Sequence, residues 1–305
     1  MSELKIHDLF RQLEKTAIRV KHEKAEDPIP LGQSKYGGKP HLPEGVEWPR
    51  YTFEEKGKTE DKPLSFLAQF NLAETHPFDT DGLLPSTGML YFFYEMESMK
   101  WGFDPKDRGC SRVFYVGDAA AQLTPMDFPE DLDAHYIIPE FNLSFKKQKS
   151  LPSFEEFEVH AENEKILYQD AREQMEEGEE DLDEWDLYEN ALENYGCPID
   201  EEANEDSHLL GYAGVIQNEM LEECEKVSRG FYCGDAGKKL SGEERRQIKE
   251  QRKEWVLLFQ MGTVADSEEE YELMWGDAGC IFFYIKKEDL KERNFEKTWL
   301  ILQCY

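Results

Sequence analysis

Basic residues are scarce in this chain of 305 residues. Lysine and arginine together number 35, against 66 aspartates and glutamates, which gives a formal net charge of -31 at pH 7. Because such a charge repels the phosphate backbone of DNA and RNA, the composition argues against nucleic acid as a partner. It favours a basic protein partner, which long-range attraction would steer toward the chain.

Long apolar segments are also missing. A membrane-spanning helix needs about 20 predominantly apolar residues, and the chain contains no apolar run approaching that length. The first residues, MSELKIHDLFRQLEKTA, lack the uncharged apolar centre of a signal peptide. We therefore expect a cytoplasmic protein with no membrane partner.

Signatures of metal, nucleotide and nucleophile chemistry are absent as well. The cysteines form no CxxC pair and have no histidine at zinc-ligand spacing, so free thiols are expected. The glycine-rich SKYGGKP has neither the Walker nor the GxGxxG spacing, and the sequence contains no GxSxG. The sequence thus favours a non-enzymatic protein, with no catalytic residue, metal or cofactor to assign.

Aromatic residues, by contrast, are abundant at 13% of the chain, and many lie in short apolar runs such as GMLYFFYE and WVLLFQM. Runs of this length and composition are typical of buried β-strands. Because they follow one another through turns without intervening helices, they predict an α+β fold with mainly antiparallel sheets. The predicted strands are 17–21, 63–72, 88–95, 112–116, 137–145, 255–261, 273–275, 280–285 and 299–304, and the predicted helices are 2–15, 241–253 and a short one from 287. The segment 54–62 is predicted as an exposed turn, and 31–49 and 208–220 as ordered loops.

The segment 155–206 differs in composition from the rest of the chain. It holds 22 acidic and two basic residues, a net charge of 2 − 22 = -20. Its apolar residues keep a helical spacing, which predicts two amphipathic helices with a break near Gly178 and with their acidic faces in water. We interpret this segment as an acidic helical insert.

The sequences on either side of the insert resemble each other. PLSFLAQF followed by GMLYFFY has a counterpart in WVLLFQM followed by GCIFFYI, and Gln69 and Gln260 lie near the ends of the first runs. This pattern predicts a diverged internal duplication. The two β lobes would span about 17–150 and 206–305 of a single domain.

Three groups of residues are candidates for binding a ligand or a partner. The loop 31–49 contributes Tyr36, His41 and Trp48; its glycines and prolines are explained either by a tight backbone path or by a bound ligand. His208 lies in the second ordered loop. Trp275 and Asp277 lie in a tight turn, where the carboxylate would satisfy backbone donors.

The segment WGFDPKDRG is the remaining candidate. Its Trp101, Asp104, Asp107 and Arg108 allow either a structural ion pair between Arg108 and an aspartate or a bound cation. The Asp-x-x-Asp spacing lacks the further oxygens and the closing glutamate of an EF-hand loop. The ion pair is therefore the simpler prediction.

Eight sequence blocks together resemble one known family. In chain order they are SKYGGKPHLP, EGVEWP, PLSFLAQFNLAE, LLPSTGMLYFFYE, WGFDPKDRG, HLLGYAGVIQ, WVLLFQM and WGDAGCIFFYI. The chain is similar over nearly its whole length to the YwqG-like proteins, a bacterial family of unknown function. The resemblance implies a mostly β fold with flanking helices and an internal duplication, and it brings no activity, cofactor or catalytic residue.

Two functional hypotheses follow from these observations. The first is a non-enzymatic cytoplasmic protein-binding module, in a specific version an immunity-like protein that masks a basic partner. The alternative is a protein that binds or processes a small molecule or carbohydrate in a pocket between the lobes. In that alternative, Trp48, Trp101 and Trp275 would line the pocket, and Asp104 and Asp277 would make polar contacts.

Overall fold

The strands of the chain are short and are distributed over its whole length. The computed structural model describes residues 5–117, 122–174, 183–197, 206–234, 239–266 and 271–305. The strands within these ranges are β1 (Lys15–Lys24), β2 (Lys35–Tyr36), β3 (His41–Pro43), β4 (Arg50–Glu55), β5 (Lys58–Pro63), β6 (Ser65–Asn71), β7 (Met89–Tyr94), β8 (Ser111–Val116), β9 (Leu123–Pro125), β10 (Phe141–Ser150), β11 (His208–Leu210), β12 (Trp255–Met261), β13 (Val264–Ala265), β14 (Glu272–Leu273), β15 (Cys280–Lys286) and β16 (Trp299–Gln303).

Helices flank these strands and are concentrated in the second half of the chain. They are α1 (Ile6–Leu13), α2 (Leu72–Thr75), α3 (Phe154–Phe157), α4 (Ala161–Gln174), α5 (Glu184–Tyr195), α6 (Leu221–Ser228), α7 (Gly242–Gln251) and α8 (Lys287–Glu292). Among the residues described, no helix combines the length and the apolar character needed to cross a bilayer.

Ten of the strands form one antiparallel sheet in the order β16-β15-β12-β11-β1-β10-β2-β6-β7-β8. Its centre is the long pair β1 and β10, which runs in register from Lys15 opposite Ser150 to Lys24 opposite Phe141. Outward from this pair, each side continues with a very short strand, two strongly apolar strands and an edge strand. The predicted α+β class with mainly antiparallel sheets is confirmed.

The sheet curves so far that its two edges approach each other. The ring of Tyr115 on edge strand β8 lies 5.7 Å from that of Phe295, which precedes edge strand β16. Inside the curve, fully buried aromatic side chains from both halves pack together, with Phe92 4.8 Å from Phe259 and 5.0 Å from Phe283. One continuous aromatic core therefore joins the two halves of the sheet.

Two smaller apolar clusters attach the helices to the outside of the sheet. Helix α6 covers the outer face of β12, β15 and β16 through Met220, Cys224 and Val227. Helices α1, α3, α4 and α5 pack around Phe10, whose ring contacts those of Phe157 and Tyr188. The segment that follows β10 thus forms a helical layer of its own together with α1.

Most predicted elements are confirmed, including α1, both insert helices and α7 with its Ser241–Glu244 capping box. The predicted break at Gly178 lies outside the described residues. Several predictions are wrong. The segment 54–62 forms most of the hairpin β4–β5, the loop 31–49 contains β2 and β3, and the loop 208–220 begins with β11. Helix α6 was not predicted.

Candidate functional site

Two buried glutamines hold the loops where most of the candidate residues lie. The Gln69 side chain accepts a hydrogen bond from the backbone N–H of His41 at 2.8 Å and donates to the Gln33 carbonyl oxygen at 2.7 Å. Gln260 accepts from the backbone N–H of Gly214 at 2.8 Å and donates to the Asp206 carbonyl oxygen at 3.0 Å. Both side chains are fully buried, so these bonds fix the two loops in place.

His41 is a structural acceptor within this network. Its Nδ1 lies 3.0 Å from Gln69 Nε2 and 3.2 Å from the backbone nitrogen of Gly32, and its carbonyl oxygen accepts from the Tyr91 hydroxyl. Burial, together with the charge of Lys35, lowers the pKa of His41 to about 4. Nδ1 of the neutral ring is therefore already hydrogen-bonded within the protein.

Tyr36 and Lys35 form the base of the same loop on β2. Tyr36 is fully buried with its ring edge-on to Phe70, and burial raises the pKa of its phenol. The buried Lys35 ammonium forms an ion pair with Glu140 and donates to the Lys39 carbonyl oxygen at 2.7 Å. These contacts assign both side chains to the core and not to an open binding surface.

His208 on β11 is the counterpart of Lys35 on β2, because it pairs with Gln260 as Lys35 pairs with Gln69. Its Nε2 lies 3.0 Å from the Tyr212 carbonyl oxygen, and its Nδ1 lies 3.3 Å from that of Asp206. Burial lowers the pKa of His208, so the neutral ring is favoured. Like His41, this histidine faces backbone groups of its own loop.

The WGFDPKDRG segment forms a compact turn against β16. Asp104 caps the turn by accepting from the Lys106 N–H at 2.9 Å, and Asp107 accepts from the Gly102 N–H at 3.2 Å. Burial raises the pKa of Asp107. The predicted ion pair with Arg108 is not formed, because that guanidinium lies 5.1 Å from the Trp299 ring centroid, over its face.

The tryptophans proposed to line a shared pocket lie apart. Trp48 packs against Phe93, and the fully buried Trp275 packs against Tyr94. Since Phe93 and Tyr94 are neighbours on β7, their side chains point to opposite faces of the sheet. Trp101 is 37% exposed and accepts the Leu302 N–H through its carbonyl oxygen.

Asp277 lies at the surface beside the chain end. Its carbonyl oxygen accepts the Tyr305 N–H at 3.0 Å, while its side chain is exposed. Trp101 and Asp277 thus both flank β16 through backbone contacts. In the part of the chain that the structure describes, no three His, Cys, Asp or Glu side chains are grouped to hold a metal, and the six cysteines are free.

Comparison with known proteins places these features in one family. A family model described as "Domain of unknown function (DUF1963)" matches residues 34–304. The chain belongs to this family. No curated protein matches it. The DUF1963 match includes both buried glutamines and every candidate residue named above, and it begins after β1.

The helical layer of this DUF1963 protein presents a different kind of surface. Trp185, in the first turn of α5, is 42% exposed and is surrounded in sequence by Asp183, Glu184 and Asp186. It lines a cleft of about 340 Å³ together with Phe154 and loop residues next to β11. The sequence predicts only an amphipathic helix around Trp185. The signal for an exposed tryptophan is its position between acidic residues.

Proposed function

We propose that this DUF1963 protein is a non-enzymatic protein-binding module, and that a basic partner binds the solvent-facing side of α4 and α5. The observation that carries the proposal is the exposed Trp185 within the acidic first turn of α5. Tryptophan is enriched at the energetic centres of protein interfaces, because one ring supplies a large apolar contact. The surrounding carboxylates would select a partner rich in lysine and arginine.

The charges on this surface are largely uncompensated. Glu162 pairs with Lys165, and Glu184 accepts a hydrogen bond from the Tyr168 hydroxyl. Within the described ranges, Glu158, Glu189 and Glu193 form no ion pair with a basic side chain. Such a surface accelerates the encounter with a basic protein, and the effect weakens as salt rises.

The proposal includes the finer assignments that the sequence suggested. The resemblance to YwqG-like proteins supports a bacterial protein, and the first residues, which lack the apolar centre of a signal peptide, support a cytoplasmic one. The most specific form of the proposal is an immunity-like role in masking a basic partner. The net charge of -31 supports a protein partner over nucleic acid. The pocket lined by Trp48, Trp101 and Trp275 has less support, because Trp48 and Trp275 pack on opposite faces of β7.

The test is affinity capture with the full chain as bait, at low and at high salt. Trp185→Ala and the charge-reversed Glu184→Lys/Glu193→Lys should lose basic proteins that the wild type retains at low salt. Mass spectrometry of the captured proteins, followed by fluorescence anisotropy with the purified partner, measures the loss. We expect the affinity to fall by about tenfold or more for each variant.

The matched control is Glu44→Lys/Glu47→Lys, which changes the net charge equally on the exposed loop before β4. It should retain the partner. Equal capture by all baits, or capture that does not respond to salt, would contradict the proposed surface. Circular dichroism of every bait confirms that each variant is folded.

A further inference from the structure

A second, smaller cavity shares Pro152 and Tyr212 with the cleft beside Trp185, but that tryptophan is not part of its wall. It has a volume of about 160 Å³ and lies where the start of β1, the segment from α3 to α4 and the start of β12 meet. Its wall includes the aromatic side chains of Tyr212 and Trp255. Its charged groups come from four separate parts of the chain, namely Lys15, Glu156, His160, Lys253 and Lys287.

Positive charge is concentrated around this cavity, unlike the rest of the chain. The pKa of His160 is lowered by burial and then by the charges of Lys253, Lys287, Arg252 and Lys15. Carboxylates act here as well, because the charges of Glu219 and Glu155 raise the pKa of Glu156 in the cavity wall.

The two lysines at the rim keep ammonium donors for a ligand, although each already has one contact. Lys287 Nζ donates to the Lys253 carbonyl oxygen at 2.6 Å, and Lys253 Nζ lies 3.9 Å from the exposed carboxylate of Glu250. The Lys15 ammonium lies 3.6 Å from the Tyr212 ring centroid. Arg252 is different, because Glu219 and Glu222 already bind its guanidinium at 2.6 and 2.9 Å.

Glu156 supplies an acceptor in the cavity wall. Its residue is 7% exposed, and its Oε1 accepts a hydrogen bond from the Tyr284 hydroxyl at 3.2 Å. Its Oε2 accepts none from the described residues. Burial raises the pKa of Glu156 to about 7, while the charge of Lys15 opposes the rise. Glu156 Oε2 is therefore available to accept a hydrogen bond from a ligand in the cavity.

We propose that this cavity binds a small carboxylate that carries its own hydrogen-bond donor, a 2-hydroxy or 2-amino acid. Lys253, Lys287 and His160 bind the ligand carboxylate. Glu156 accepts a hydrogen bond from the hydroxyl or amino group next to it. An inorganic phosphate fits less well, because its second negative charge is repelled by Glu156.

Isothermal titration of the full chain with glycolate, glycine, acetate and inorganic phosphate tests the proposal. Glycolate or glycine should bind saturably at millimolar concentration, and acetate about tenfold more weakly, as expected for the loss of one charge-assisted hydrogen bond. Lys253→Ala/Lys287→Ala should weaken binding by about tenfold or more. Glu156→Gln keeps the shape of the wall and should bring the glycolate and acetate affinities together.

The control is Lys249→Ala, an exposed lysine on α7 that is not part of the cavity wall. It should bind like the wild type. Absence of saturable binding by all four probes, tighter binding of phosphate than of glycolate, or unchanged binding by the double lysine variant would each overturn the proposal. Unfolding curves recorded for every variant separate lost binding from lost folding.

Discussion

The two halves of the sheet contain equivalent sets of hydrogen bonds. The first half consists of β2, β6, β7 and β8, and the second of β11, β12, β15 and β16. Lys35 pairs with Gln69 in the first half, and His208 pairs with Gln260 in the second. Each glutamine donates to a carbonyl two residues before its partner and accepts from an N–H six residues after it. The backbone arrangement around the two glutamines is therefore equivalent.

Two further pairs of contacts follow the same correspondence. Ser34 accepts from the Asn71 N–H at 2.8 Å, and Ser207 accepts from the Gly262 N–H at 3.1 Å. The register also shifts at Leu67 between β6 and β7 and at Leu258 between β12 and β15, two residues before the respective glutamine. We propose that the matched bonds and bulges are the remains of an internal duplication.

The side chains between these matched bonds have diverged. Gly37, directly after β2, and Leu210, the last residue of β11, both have a φ near 60°, yet only the first is a glycine. His41 supplies a ring acceptor where the second half has Gly214. The polar contacts to the backbone are therefore the shared part of the fold, whereas the side chains around them are specific to each half.

Gly37→Ala should have the largest effect on this comparison. A Cβ at Gly37 would lie 2.1 Å from the Pro139 carbonyl oxygen and 2.4 Å from that of Ile138, both backbone atoms. With the positive φ added, we expect a loss of about 4 kcal/mol in the free energy of unfolding. Urea denaturation followed by circular dichroism measures it.

Gly45→Ala is the matched control for that measurement. Gly45 also has a positive φ, of 86°, but a Cβ there meets no atom within 4 Å. It should cost only about 1 kcal/mol, the backbone effect alone. Equal losses for the two variants would show that the carbonyl oxygens of Ile138 and Pro139 do not require a glycine at position 37.

The sequence predicts the main strands of both halves, because their apolar runs and the two glutamines are visible in it. The shortest strands were missed, since β2 and β11 contain two and three residues and show no alternation. The hairpin β4–β5 was missed because RYTFEE and KTEDKP are polar and largely exposed. Leu210 at a positive φ has no sequence signal, because its conformation is imposed by the neighbouring strands.

The candidate sites were less predictable than the fold. Lys15, Glu156, Lys253 and Lys287 are separated by long stretches of chain and meet only after the helical layer packs on the sheet. Tyr36, His41 and Trp275, which stood out in the sequence, are buried core residues. Glycine and aromatic patterns predict tight backbone paths well, whereas clusters of charge depend on tertiary packing.

Replacing the two glutamines compares the halves directly. Gln69→Leu and Gln260→Leu each leave a buried N–H and a carbonyl without their partner, and we expect about 3 kcal/mol lost from the free energy of unfolding in each. Each glutamine has a further contact, Gln69 with His41 Nδ1 and Gln260 with Cys280 Sγ, so the two losses should be of similar size. Urea titrations of both, with the exposed Gln251→Leu as control, measure the difference. A loss confined to one half would contradict the equivalence.

The smallest expected difference between the two halves is the dependence of stability on acid pH. Because the pKa of His41 falls from 6.5 in the unfolded chain to about 4 in the fold, the unfolded state binds more protons between these values. Stability is therefore lost as the pH falls through this window, by about 2 kcal/mol between pH 7 and pH 5.

His41→Asn should be less stable than the wild type at pH 7 but should show a flatter decline toward pH 5. Exposed His135→Asn is the control and should keep the wild-type slope. His22, His160 and His208, whose pKa values burial also lowers, remain in both variants and contribute to the slope that persists. If His41→Asn keeps the full wild-type slope, the acid sensitivity does not come from His41, and this difference between the two halves is contradicted.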